Sequence, residues 1–155
     1  MPPFEYHITD IQEIELIRPL WTRLNEYHHD RATTFRYHYE QWTFDDRKKY
    51  FEKIALAGSL RLDLVSDANT GRYVGYCISS LSQEKTGEIE SIFVEERYRS
   101  QGVGSTLVNR ALAWLGENGS VRNRVSVGQG NETAWEFYRK FRFYPRMTVL
   151  ERKNE

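Results

Sequence analysis

Phe4, Tyr6 and Ile8 alternate with Glu5 and His7, the period of a short half-buried strand. Thr9-Asp10 follows as an N-cap, with Glu13 at the capping-box spacing from Asp10. Ile14, Ile17, Trp21, Leu24 and His28 then recur every three or four residues, giving a helix with one apolar face. Pro19 either kinks that helix or lies in its first turn. From His28 to Trp42 the period is lost in an aromatic, hydrogen-bonding stretch. Thr43 and Asp46 cap a second helix carrying Phe44, Phe51, Ile54 and Ala55, which ends at Gly58. Leu60, Leu62 and Leu64 alternate with Arg61 and Asp63, Asp67 to Gly71 turns, and Tyr73 to Ser80 returns, which predicts a hairpin. Glu88 to Val94 predicts a strand, and Gln101 to Leu115 a helix with a Val103, Leu107, Ala111, Trp114, Leu115 stripe. Arg122 to Val127 predicts a strand, Asn131 to Phe141 a short helix, and Tyr144 to Arg152 a closing strand. The order β-α-α-β-β-β-α-β-α-β is that of an α/β domain with a mixed central sheet flanked by helices.

At 155 residues, 39% apolar and with 10 Tyr, 8 Phe and 4 Trp, the chain has the material for one core and one domain, 1–155. Twenty-two basic residues balance 22 acidic ones, so no electrostatic footprint points to nucleic acid. A single cysteine, Cys77, excludes an internal disulfide and suits a reducing, cytoplasmic setting. The first residues lack a charged segment followed by an apolar one, so no secretory leader is expected. No run approaches the ~20 apolar residues of a membrane span. No Cys/His cluster has metal-ligand spacing, and no metal is expected.

The informative segment runs from Glu88 to Leu107: a strand ending at Val94, a basic loop, then a helix. Gly102 and Gly104 allow backbone to approach a ligand closely. The unpaired first amides of the following helix, with its dipole, form an anion site suited to a pyrophosphate. Arg97 and Arg99 add positive charge. The dinucleotide fingerprint fails because Leu107 stands where a third glycine is required, and no Gly-Lys occurs to make a P-loop. A glycine-rich helix start without function remains the alternative for this loop taken alone.

Arg99-Ser-Gln-Gly102-Val-Gly104 resembles the Q/R-x-x-G-x-G/A signature of the GNAT N-acetyltransferase superfamily. Asn131-Glu-Thr-Ala134-Trp-Glu-Phe137-Tyr138-Arg-Lys140-Phe-Arg-Phe143 is similar to that family's N-x-x-A-x-x-F-Y-x-K-x-G-F block. The likeness covers residues 60–146; residues 1–59 match only as a generic first strand and substrate-side helices, and 60–152 hold the sheet with the cofactor motifs. One position departs: Arg142 stands where the family has a glycine that turns the chain with positive φ.

The resemblance implies acetyl-CoA as cosubstrate, held by Ile92, Phe93, Val94, Arg99, Ser100, Gln101, Gly102, Val103, Gly104, Ser105, Asn131, Phe137 and Tyr138. It implies a splayed strand end where the Phe93 and Val94 amides polarise the thioester. Tyr138 occupies the family's acid position, from which a phenol can protonate the departing thiolate; otherwise it is a packing aromatic. Amine acetylation also needs a base, since an amine of pKa near ~10 is an ammonium at neutral pH. Glu88 and Glu90, two apart on one strand, share a face and serve as base or water-holder, or else are solvated or ion-paired. Glu88 has the spacing to Arg99 that resembles the base position of some lysine acetyltransferases. His28, His29 and Asp30 are further candidates, though a helix-end His pair is more often surface. Cys77, lone in a strand, reads as packing rather than nucleophile.

The Tyr27–Trp42 stretch falls where the family places substrate-side helices. Tyr27, His28, Asp30, Tyr37, Tyr39, Glu40 and Trp42 would bind an acceptor ammonium by cation–π and ionic contact, or else form core or dimer contacts. The expected activity is acetyl transfer from acetyl-CoA to a small-molecule primary amine by direct attack. Protein-directed acetylation of a Lys or N-terminus, and a non-catalytic CoA-binding module, are the alternatives. A homodimer is expected from the abundance of aromatics and the frequency of dimers among look-alikes, with no nucleic acid or membrane partner.

Overall fold

The computed structural model describes residues 4–154. Five strands form one sheet in the order β1 (Phe4–Thr9), β2 (Ser59–Asp67), β3 (Tyr73–Leu81), β4 (Thr86–Val94), β5 (Arg122–Val125). The first four are antiparallel neighbours; β5 pairs parallel with β4. The chain reaches β2 through a 3-10 stretch, Ile11–Ile17, and helices α1 (Arg18–Arg31), α2 (Arg36–Gln41) and α3 (Phe44–Ala57). Helices α4 (Val103–Glu117) and α5 (Ala134–Arg139) flank β5 in sequence.

Strand alternation sorts side chains onto two faces. Leu62, Leu64, Tyr76, Ile78 and Phe93 pack with Ile14, Ile17, Leu20, Trp21, Phe44 and Phe51. On the other face Val65, Val74, Cys77 and Ile89 pack with Val103, Leu107, Val108, Ala111 and Tyr138. Each such side chain fully buried contributes roughly 1.5–3 kcal/mol. Asp63, on the second face, is fully buried yet held by Arg61 (2.9 Å) and Arg110 (3.0 Å), so its charge is not orphaned.

Local signals decide the helix ends. Thr43 caps α3 in a reciprocal capping box with Asp46. Pro19 sits in the first turn of α1, where a missing N–H costs nothing. Two expectations are corrected. The aperiodic stretch before Trp42 contains α2, and residues 144–152 form no strand. Tyr144, Met147, Val149 and Leu150 are exposed, and without a neighbouring edge no strand ladder can form.

Candidate active site

Strand β4 pairs with β5 only from Thr86 to Ile89, against Arg122 to Val125. Beyond Ile89 the two separate, and the gap opens into a cleft of about 940 Å³. One wall is Glu88–Val94; the other includes Val125–Gly128, Asn131, Ala134, Phe137 and Tyr138. The start of α4 closes one end. The α1–α3 segment, through Tyr27, His28, His38, Tyr39, Trp42, Arg47 and Tyr50, forms the other.

At the α4 end, Ser100 (φ 64) and Gly102 (φ 83) take left-handed backbone, which curls the loop tightly into the helix. No side chain caps α4, and its first i→i+4 bond is Thr106 N–H to the Gly102 carbonyl (3.0 Å). The amides of Val103, Gly104 and Ser105 therefore lack helical acceptors, as an anion cradle requires. A Cβ at Gly104 would come within 3.4 Å of the Phe137 ring, so backbone and ring nearly touch there. Arg99 donates Nε–H to the Val94 carbonyl (2.9 Å) and lies over the rings of Tyr27 and Phe93.

Midway, Tyr138 is buried against Phe137 and Phe143, and its hydroxyl makes no hydrogen bond to the described residues. Burial raises its pKa, so the phenol stays protonated across the neutral range. Arg142 takes the left-handed turn itself (φ 69), and Phe143 N–H donates to the Tyr138 carbonyl (3.2 Å). An arginine thus does what glycine does more cheaply, at a cost of roughly 1–2 kcal/mol.

The two carboxylates differ. Ile89 and Ile92, three apart, both pack on the α4 face, while Ser91 meets Tyr76 (2.7 Å) on the opposite one. A bulge at this register break with Ile78/Ser79 sets Glu90 out of the ladder. Glu90 accepts from Ser80 Oγ (2.6 Å) and Tyr50 OH (3.3 Å). Its pKa is raised, chiefly by burial, against the lowering effect of the Ser80 bond. Glu88 instead is ion-paired with Arg124 (2.7 Å).

Among the other expected residues, the cleft gathers Ile92, Phe93, Val94, Arg99, Ser100, Gly102, Gly104, Ser105, Asn131, Phe137, Tyr27, His28, Tyr39 and Trp42. Val103 lies in the core, and the Gln101 amide turns back to the Arg97 carbonyl (3.3 Å). Asp30 faces an adjoining, more open depression with Arg97, and Tyr37 packs on Phe35 outside the cleft. Two residues past His28 or before Tyr39 is ~200° around a helix, which turns both away. His29 is paired to Glu40 (2.9 Å), so that carboxylate is not free for a ligand. Cys77 is buried, its thiol pushed up to about 12. No cluster of metal-ligating side chains occurs among the described residues, and none of their helices is long and apolar enough to cross a membrane.

A profile described as "Acetyltransferase (GNAT) family" matches residues 20–143. The chain belongs to the GNAT acetyltransferase family. An uncharacterized N-acetyltransferase of Methanocaldococcus jannaschii is 32% identical over 72 residues, 46% of this chain and 32% of that protein. One of Mycobacterium tuberculosis is 26% identical over 83 residues, 54% and 53% of the two chains. The matched stretch thus spans about a third to a half of these relatives' length. In fold, this GNAT chain is similar to a GCN5-related N-acetyltransferase from Ralstonia eutropha (TM-score 0.75, 18% identity, 97% of this chain and 98% of that one). It is also similar to an aminoglycoside N-acetyltransferase solved with CoA (TM-score 0.70, 15% identity, 99% and 96%). Three groups that no spacing had marked stand around Glu90: Arg47 and Tyr50, which line the cleft, and Ser80, which bonds its carboxylate. Only the sheet bulge and the placement of α3 bring them to the carboxylate.

Proposed function

We propose that this GNAT protein transfers the acetyl group of acetyl-CoA to a primary amine of a small molecule, in the cytoplasm and as a homodimer. The observation that carries the reading is one continuous cleft joining an uncapped helix start, the Tyr138 phenol on its wall and a carboxylate of raised pKa.

The diphosphate rests on the α4 amides, with Arg99 beside it. The pantetheine arm runs along the free edge of β4, beyond Ile89, and directs the thioester to the gap between the strands. Glu90 takes a proton from the ammonium, directly or through water; Ser80 and Tyr50 hold the carboxylate in place. The amine lone pair then forms the N–C bond, and the Val94 amide, on the free edge of β4, receives the developing oxyanion; the Phe93 N–H points the other way, toward β3. The oxyanion collapses, the C–S bond breaks and the Tyr138 hydroxyl gives its proton to the departing thiolate; the second proton of the attacking nitrogen passes to the Tyr138 phenolate, and the one on Glu90 leaves to solvent. Glu90 rather than Glu88 is assigned the base because Glu88 is ion-paired with Arg124, whereas burial raises the Glu90 pKa above the ordinary carboxylate value.

The test is thiol release from acetyl-CoA against a panel of small amines. Release with amines, and not in their absence, supports the transferase reading; acetyl-CoA binding with no release supports a non-catalytic module.

A further inference from the structure

The aromatic end of the cleft is not an empty cage awaiting an ammonium. Arg47, in the first turn of α3, already stands there, over the rings of Tyr50 (4.7 Å), Phe51 (4.6 Å) and Trp42 (5.9 Å). Its Nη2 donates to the Glu90 carbonyl (2.9 Å), and no other hydrogen bond from its guanidinium to the described residues is made. No carboxylate among the described residues lies within ion-pairing distance of it.

The neighbouring charges are accounted for. Arg124 satisfies Glu88. The His28 pKa is lowered by burial and then by the Arg47 charge, which keeps the imidazole neutral. What remains at the acceptor end is one carboxylate, Glu90, and a guanidinium near enough to feel its charge but not hydrogen-bonded to it. The backbone anchor uses one Nη2 hydrogen, and the other guanidinium hydrogens, on a side chain that lines the cleft, have no acceptor among the described residues. A planar fork of this kind suits a carboxylate or phosphate in two-point contact.

We propose that Arg47 is a specificity residue, and that the acceptor is an amine that also carries a carboxylate or phosphate. The inference rests on the transferase reading above. The anion binds Arg47 and the ammonium is thereby placed at Glu90. A purely cationic acceptor, such as a polyamine, would bring like charge against Arg47.

The test uses matched amines, phosphoethanolamine and β-alanine against ethanolamine, with wild type, Arg47→Gln and Arg47→Lys. Thiol release gives KM and kcat, and thermal shift in the presence of CoA reports binding without turnover. The wild type is expected to favour the anionic amines by on the order of ten- to a hundredfold in kcat/KM. Arg47→Gln brings that ratio toward one through KM, and Arg47→Lys, which keeps the charge without the fork, falls between. If no amine releases thiol, the transferase reading fails. The Arg47 assignment still stands in that case if anionic amines alone stabilise the wild type and lose that effect in Arg47→Gln. Equal response to charged and neutral amines in the wild type, no response to either, or a ratio unmoved by Arg47→Gln overturns the assignment.

Discussion

Replacing Glu90 by Gln removes the proposed base while keeping the shape and the Ser80 contact. An ammonium near ~10 and a carboxylate near ~4 are separated by roughly 6 units, or about 8 kcal/mol against direct transfer. Burial of Glu90 narrows that gap by about 1.4 kcal/mol for each unit its pKa rises. Loss of a general base lowers rates by on the order of 10²–10⁴. The kcat/KM profile decides the matter. The wild type should fall on the acid side as Glu90 is protonated, at a pH above the ordinary carboxylate range. Glu90→Gln should lose that limb, drop at neutral pH, and recover about tenfold per pH unit as free amine appears. Glu88→Gln only frees a largely exposed Arg124 and should cost under about fivefold. Stability gives an independent sign. A folded pKa raised above the unfolded value stabilises below the unfolded pKa, and that contribution is lost as pH rises through the folded pKa. Ionised Glu90 is therefore a burden at neutral pH, and Glu90→Gln should raise Tm there and not in acid. A Glu90→Gln enzyme with the wild-type profile from about pH 6 to 9 would refute the assignment.

Gly104→Glu should severely weaken acetyl-CoA binding in calorimetry, because the added side chain and its negative charge stand at the amide cradle; unchanged affinity in folded protein would move the diphosphate elsewhere. Tyr138→Phe should lower kcat by at least about tenfold with little change in CoA affinity, since the proton is needed only as thiolate forms. Equal kcat would leave Tyr138 a packing residue. Arg142→Gly should stabilise by roughly 0.5–1 kcal/mol, the left-handed strain less the glycine's unfolded-state entropy. That is about 1–4 °C in a thermal melt, and a lower Tm would mean that the arginine side chain does more than turn the chain.

Alternation made β2, β3 and β4 readable, because each buries one or both faces and a slip would reverse every side chain. The capping box at Thr43 and the glycine loop before α4 were readable because both are local chemistry. Helix α2 was not: its six residues, Arg36 to Gln41, have no buried member, so no apolar period marks them. The strand character of residues 144–152 was real in composition, but a strand needs an edge, which composition does not supply. At the site, the sequence favoured Glu88 by its spacing to Arg99, with Glu90 as the alternative; the bulge, Arg124 and Ser80, which no spacing marks, distinguish the two carboxylates. Arg47 sits among ordinary helix charges and acquires meaning only where α3 meets β4.

The central claim is acetyl transfer at this cleft. Its most direct measurement follows thiol release from acetyl-CoA and the acetylated amine together, in wild type and Tyr138→Phe. Equal amounts of thiol and acetylated amine are expected in the wild type, and slower formation of both in the variant. Acetyl-CoA binding with no acetylated amine from any member of a broad panel would contradict it.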